Sequence, residues 1–446
     1  MKESLESNAI PLPPAFRERI SRQLGDQAGA YFSALGEDYV RGIRLNSLKP
    51  CNASPEGLLE PVPWNPSGYY LTRESAAGAH PLHEAGGWYI QEPSAMAPVA
   101  VLNPQPGERI LDLCAAPGGK STQIGEVLRG EGLLVSNEPV PSRGKILSRN
   151  LERMGIPNAL TVCADPDTLA PLWPEAFDAV LVDAPCSGEG MFRRHPETRL
   201  EWQPTSPRDC AQRQKRILSA AVQMLRPGGR LVYSTCTFNP EENEEVMEET
   251  CKRFPCLHSV PFSLPAGDGK TLSAPEGMLH LFPHEIRGEG HFVALLRKEG
   301  EGRPGTLFAP ASTRLGEPTR EQLAAWRGFA PLSPNARWEE ELLLCPDLPT
   351  LKGVRVLRAG LKLGTLKGKV FIPDHALALS PCLKDFPSLP LTPEEAVLYQ
   401  SGQVLPWEEG RKGWVLLTLE GLALGFGKAG EGMVKNHYPK GLRRGG

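Results

Sequence analysis

The sequence predicts an α/β protein: a Rossmann-like, doubly wound sheet, preceded by a small N-terminal α+β domain and followed by a small C-terminal appendage. Three observations lead there. Short apolar strands alternate with helical segments from about residue 108 to 298, the rhythm of a parallel sheet covered on both faces. A glycine-rich loop follows the first strand and opens a helix. Acidic or thiol side chains stand just past the ends of the strands that follow.

The chain has 446 residues, 40% of them hydrophobic and 23% charged, the balance of a soluble protein of two to four domains. Its N-terminus carries no apolar run of signal-peptide length, and no stretch is long enough to span a bilayer. A cytoplasmic protein with no membrane partner is expected. The ten cysteines do not spell a disulfide framework in a chain this long, and no Cys-x-x-Cys pair suggests structural zinc. No metal is expected, and a monomer is. The net charge of −3 gives no global basic signal, yet a local patch suffices for phosphate contacts.

Residues 1–90 form the N-terminal domain, expected to be auxiliary or RNA-binding. Pro11 to Pro14 lead into a helical segment, Ala15 to Leu24, and Arg41 to Lys49 reads as a basic strand. Residues 91–298 carry the sheet. Its strands are expected at Arg109–Leu113, Gly132–Ser136, Leu160–Cys163, Ala179–Val182 and Arg230–Ser234, with His291–Arg297 as a late closing strand. Residues 299–316 form a polar Gly/Pro linker. Residues 317–446 change pattern: short strands such as Gly353–Arg358 and Gly413–Leu419 alternate with glycine turns.

The loop Asp112-Leu113-Cys114-Ala115-Ala116-Pro117-Gly118-Gly119-Lys120-Ser121 lets the backbone approach a ligand and aims helix amides at it. It is neither Gly-x-Gly-x-x-Gly nor the phosphate-loop pattern, which disfavours NAD and ATP. Glu138 ends the second strand, where an acid accepts hydrogen bonds from ribose hydroxyls. Asp165 follows the third strand, placed for an adenine edge, and Asp183 ends the fourth. This ordered set fits S-adenosylmethionine better than a dinucleotide.

Two thiols stand at the same edge: Cys186 in Asp183-Ala184-Pro185-Cys186-Ser187-Gly188, and Cys236 in Tyr233-Ser234-Thr235-Cys236-Thr237. The fourth and fifth strands are neighbours in a doubly wound order, so Cys186, Cys236 and Asp183 converge on the cofactor crevice. Paired thiols there suit covalent chemistry on an electron-poor ring such as cytosine. Addition of a thiolate to carbon 6 makes carbon 5 nucleophilic, and a base must later remove the carbon-5 proton. Asp183 is placed to bond the cytosine edge. From spacing alone the two thiols are interchangeable.

At these residues the chain resembles the NOL1/NOP2/Sun family of RNA cytosine-5 methyltransferases. The matching segments are Arg44-Leu45-Asn46 with Leu48-Lys49, Asp112 to Ser121, Asp183 to Gly190, Arg230 to Thr237, Asn239-Pro240-Glu241-Glu242-Asn243 and Gly290 to Ala294. The resemblance implies that Cys236 attacks carbon 6 and Cys186 assists release. It also implies that Cys114 to Lys120, Glu138, Asp165 and Asp183 contact the cofactor, and that Lys120 and Arg143 orient acids near the site. Pro139, where a small or aliphatic residue is usual, shifts the ribose contact at most slightly.

The C-terminal segments Lys412–Val415, Gly425–Lys428 and Lys435–Arg443 are similar to the PUA-like appendage of bacterial F-type methyltransferases of 16S ribosomal RNA. That resemblance implies ribosomal RNA as partner. Read alone, the basic tail with Tyr438 is a solvated terminus. Further RNA-facing candidates are Phe192, Arg193, Arg194 and His195 after the Cys186 loop, and Arg208, Gln212, Arg213 and Gln214 on the next helix. Pro283 lies between His280 and His284, which rules out a helical metal pair; the two are expected to be structural or RNA-facing. Two alternatives stay open: the same chemistry on transfer RNA, and a catalytically silent RNA-binding factor in ribosome assembly.

Overall fold

In a computed structural model of the chain, the described residues are 10–302, 319–329, 336–338, 342–344, 351, 353–368, 370–383, 385–407 and 412–443. Most of the expected linker, and Arg444 of the basic tail, lie outside them.

The chain enters through two helices, α1 (Pro14–Leu24) and α2 (Ala28–Leu35). Four strands follow: β1 (Arg41–Leu45), β2 (Leu58–Pro61), β3 (Gly68–Leu71) and β4 (Trp88–Ile90), paired in the order β2-β3-β1-β4. The central sheet then begins with β5 (Arg109–Asp112), α3 (Gly119–Leu128), β6 (Leu133–Asn137), α4 (Pro141–Arg153), β7 (Ala159–Cys163) and β8 (Phe177–Asp183). After α5 (Ser206–Met224) come β9 (Leu225–Thr235) and α6 (Glu244–Arg253). The domain ends with β10 (Leu257–Ser259), β11 (Phe262–Gly267), β12 (Lys270–Ala274), β13 (Met278–Leu281) and β14 (His291–Lys298).

Strands β7-β6-β5-β8-β9 are parallel neighbours, and β14 adds antiparallel beside β9. The chain leaves β5 in one direction for β6 and β7, then returns to its other side for β8 and β9. That reversal opens a crevice beyond the C-terminal ends of β5 and β8. Strands β6 and β7 are buried along their whole length, as expected for a sheet covered on both faces. Alternate residues enter opposite cores. Leu111, Val135 and Val180 pack with Ile217 and Leu218 of α5, whereas Ile110, Leu134 and Ala179 pack with Ile124 and Leu147 of α3 and α4.

The C-terminal half supplies β15 (Ala336–Trp338), β16 (Leu342–Leu344), β17 (Arg355–Ala359), β18 (Leu361–Lys367) and β19 (Val370–Pro373). It finishes with β20 (Ser388–Pro390), β21 (Leu405–Pro406), β22 (Gly413–Leu419), β23 (Leu422–Gly430) and β24 (Met433–Asn436). Two placements were not anticipated. Strand β17 leaves the appendage and pairs antiparallel with β7, closing that edge of the central sheet. The β22–β23 hairpin shares a hydrophobic core with the N-terminal sheet, in which Ile43 and Trp88 meet Val415, Leu417 and Leu422. The basic tail is anchored rather than free: Tyr438 is 3% exposed and packs edge-on to Tyr399 and His375, while Lys428, Lys435 and Lys440 are exposed.

The basic strand also turns inward. Arg44 is fully buried and its guanidinium pairs with Glu126 of α3 at 3.0 Å. It donates further to Thr122 at 2.7 Å and to the Gly119 carbonyl at 3.0 Å. Arg44→Met is expected to lower stability by about 3–5 kcal/mol, because it strands the Glu126 charge in the interior; a urea denaturation curve checks this. Lys49 is buried too, donating to the Ala85 and Arg153 carbonyls. Burial and the neighbouring Arg153 lower its pKa to about 7.

Candidate active site

Each parallel strand delivers one part of the site from its C-terminal end. The loop after β5 runs from Leu113 to Gly118 and enters α3. Gly118, at φ 115°, takes a backbone conformation that a side chain would strain, and α3 starts directly after it. The loop is tied down from both sides: Leu113 N–H donates to Leu181 O at 2.9 Å, and Ala115 N–H to Asn137 O at 2.9 Å. Beneath it, burial pushes the Asp112 carboxyl up to about 7, while Ser121 donates to it at 2.6 Å.

A cavity of about 450 Å³ opens over these strand ends. Its wall includes Cys114, Glu138, Arg143, Asp165 and Asp183 together with Cys186, Arg213 and Cys236. Glu138 is 2% exposed. It accepts from Val140 N–H at 3.0 Å and faces Arg143 at 3.4 Å. Arg143 also donates to the Ala116 carbonyl at 3.1 Å, so acid and loop are held together. Asp165 caps the short helix Pro166–Leu169 and pairs with Arg216 at 2.8 Å. Lys120 lies behind the wall, with its ammonium 2.8 Å from Asp183. Of the loop residues, Ala115, Pro117 and Gly119 contribute backbone rather than reactive groups.

These residues fit S-adenosylmethionine. The glycine turn and the start of α3 present backbone N–H groups, Glu138 presents a carboxylate at the end of β6, and three acids suit a sulfonium cation.

Asp183 is the most constrained of these acids. Ser234 donates to it at 2.8 Å, and His291 Nε2 stands 3.4 Å away. Burial opposes its ionisation, but Lys120 and His291 outweigh burial and hold its carboxyl well below the usual range. It is therefore a carboxylate at neutral pH and an acceptor of hydrogen bonds.

Cys186 Sγ and Cys236 Sγ are 3.3 Å apart. The loop after Cys186 returns to the second thiol's backbone, with Gly190 N–H donating to Cys236 O at 2.8 Å. The hydrogen bond with Cys236 and then burial push the Cys186 thiol well above the usual range.

Several RNA-facing expectations need correction. Phe192 is fully buried and stacks edge-on to Phe16 at 5.0 Å, so it is not available to a base. Arg193 is buried against Glu289 at 2.9 Å and against the Ala34 and Gly288 carbonyls, so it does not clamp phosphate. Gln214 is fully buried and donates to Pro185 O and to Glu242. His280, expected to be structural or RNA-facing, has a structural role: it pairs with Glu244 and stacks on Phe282. Arg208, Gln212 and Arg213 are exposed, and Arg213 lines the cavity. Sequence reasoning missed His291, Ser234, Gln214 and Glu242 as supports of the site; His291, Ser234 and Glu242 lie in segments that carried the resemblance.

A doubly wound sheet with this loop, acid series and thiol pair defines a methyltransferase fold. A solved methyltransferase homologue from Pyrococcus horikoshii superposes with a TM-score of 0.55 at 28% identity, covering 67% of this chain and 99% of that one. Residues 99–297 match the family described as 16S rRNA methyltransferase RsmB/F. Residues 12–93, 328–380 and 386–444 match the N-terminal domain, first C-terminal domain and PUA domain of RsmF. Ribosomal RNA small subunit methyltransferase F of Klebsiella pneumoniae is 35% identical, covering 99% of this chain and 98% of its own. The protein of the same name from Escherichia coli O127:H6 is 37% identical, with 93% of each chain covered. The chain belongs to the ribosomal RNA small subunit methyltransferase F family.

Proposed function

We propose that this protein transfers a methyl group from S-adenosylmethionine to carbon 5 of cytosine in 16S ribosomal RNA, through a covalent bond between the RNA and Cys236. The observation that carries this reading is the pair of thiols 3.3 Å apart on the wall of the cavity that also holds Glu138 and Asp183. Asp183, as a carboxylate, accepts hydrogen bonds from the cytosine edge and stabilises its protonated, more electrophilic form. The Cys236 thiolate adds to carbon 6 and leaves carbon 5 enamine-like. S-adenosylmethionine, held by the Cys114–Lys120 loop, Glu138 and Asp165, supplies the electrophilic methyl group that carbon 5 takes. Cys186 removes the carbon-5 proton, the carbon 6–sulfur bond breaks, its electron pair returns to Cys236, and the 5,6 double bond is restored.

The contact with Cys236 and burial raise the Cys186 pKa, so that thiol must ionise before it can take the carbon-5 proton; the order of the two thiols rests on the family resemblance.

The substrate follows from the relatives, whose names specify the ribosomal small subunit, and from the PUA-type C-terminal region, which we assign to RNA binding. We take residues 1–90, 91–298 and 317–446 as the working domains and the cytoplasm as the site of action. Tritiated S-adenosylmethionine offered with ribosomal RNA, small subunits and transfer RNA tests this reading. Label is expected as 5-methylcytidine in 16S ribosomal RNA. Label confined to transfer RNA, or in another nucleoside, overturns it.

A further inference from the structure

We propose that Glu242 is a positioning residue for product release: it clamps the Pro185–Ser187 turn and so holds Cys186 against Cys236. The inference rests on the release role given to Cys186 above and adds the group that keeps that thiol in place.

Glu242 follows Cys236 in the run Asn239–Asn243 that leads into α6. It is fully buried, and its carboxylate is held by neutral donors. One oxygen accepts from Ser187 N–H at 2.9 Å and from Gln214 Nε2 at 3.0 Å. The other accepts from the Ser187 hydroxyl. Among the described residues no cation pairs with it. Gln214, anchored by Glu242, also donates to the Pro185 carbonyl at 3.1 Å. The residues on both sides of Cys186 are therefore fixed by one carboxylate. The clamp reaches the second thiol as well, because Ser187 Oγ lies 2.9 Å from Thr237 Oγ1, the residue after Cys236. Tyr233, on the strand that carries Cys236, donates to the Glu242 carbonyl at 2.6 Å.

A buried acid without a counter-ion is costly, and such groups cluster at functional sites. Burial raises the pKa of Glu242 to about 7 despite the Ser187 and Gln214 hydrogen bonds. A well-packed apolar residue would serve stability better. What an apolar residue cannot do is accept two hydrogen bonds from the turn that carries the thiol and a third from Gln214, which holds the same turn.

The test uses the full chain with 16S ribosomal RNA and S-adenosylmethionine under single-turnover conditions. Formation and decay of the denaturation-resistant RNA adduct are followed separately. In Glu242→Gln only one acceptor oxygen remains, so the amide can keep the bonds from Ser187 N–H and Gln214 but leaves the Ser187 hydroxyl without its acceptor, and the turn loosens while the volume is kept. Adduct decay is expected to slow by about tenfold or more, with formation changed by less than about threefold. The double variant E242Q/C186A is expected to decay no more slowly than Cys186→Ala alone, since both changes act through one step. Decay at the wild-type rate, or an equal loss of formation and decay, overturns the inference. If Glu242→Gln does not fold, Ser187→Ala removes one arm of the clamp; slower decay supports the proposal, and unchanged decay sinks it. Failure of Cys186→Ala itself to trap an adduct removes the release role, a different outcome from a trapping Cys186→Ala beside a normal Glu242→Gln.

Discussion

Cys236→Ala is expected to lower the rate of methyl transfer by at least about 10³-fold, a barrier increase of about 4 kcal/mol, and to form no covalent RNA adduct. Carbon 5 of cytosine has little nucleophilicity until a thiolate adds at carbon 6, so removing the attacking sulfur removes the route rather than slowing it. Cys236 also touches little that folding requires. It is only partly buried, its carbonyl bond to Gly190 survives the substitution, and the Glu138 contacts lie elsewhere on the wall. Affinity for S-adenosylmethionine, measured by calorimetry, is therefore expected to stay within about twofold of wild type. Methyl transfer at the wild-type rate would show that the covalent mechanism is wrong.

Cys186→Ala has the opposite signature. Attack by Cys236 remains possible and methylation of carbon 5 proceeds, but the carbon-5 proton has no acceptor at the site. Turnover is expected to fall by about 10²-fold or more, as when a general base is deleted, while a protein–RNA species resistant to denaturant accumulates on a gel. The RNA in that species should already carry the transferred methyl group. This contrast discriminates the thiols: one substitution abolishes the adduct, and the other preserves it. If neither variant forms an adduct, Cys186 acts before bond formation and has no release role; if Cys236→Ala traps the adduct and Cys186→Ala does not, the order assigned to the pair is reversed.

The central sheet and its loop were legible because their signals are local. Apolar strand runs, helix periods and the run from Asp112 to Ser121 lie within short windows, and the observed strands β5 to β9 fall on the expected segments, with β5 one residue shorter, β6 shifted by one and β9 starting five residues earlier. What escaped notice depends on partners distant in the chain. Arg44 reads only as one basic position of a strand until Glu126, 82 residues away, is placed against it. Arg193 reads as a phosphate clamp until Glu289 neutralises it, and Phe192 as a base platform until α1 brings Phe16 onto its ring. The same holds at the site. Asp183 and both cysteines stand out by position, whereas the supports of Asp183 come from neighbouring strands: Ser234 from β9 and His291 from β14. Glu242 was visible in sequence as part of a shared run, but its target, the turn on the far side of Cys186, required the coordinates.

Strand β17 has a consequence for how the protein is made. It pairs with β7, yet the ribosome emits β7 long before β17. Until then the growing chain carries an unpaired sheet edge, of the kind that recruits other strands and promotes aggregation. The N-terminal sheet waits longer still, because Ile43 and Trp88 find their cover in Leu417 and Leu422. The protein thus completes its architecture only at the end of translation, and a nascent chain stopped after β14 still exposes the β7 edge and the apolar face of the N-terminal sheet.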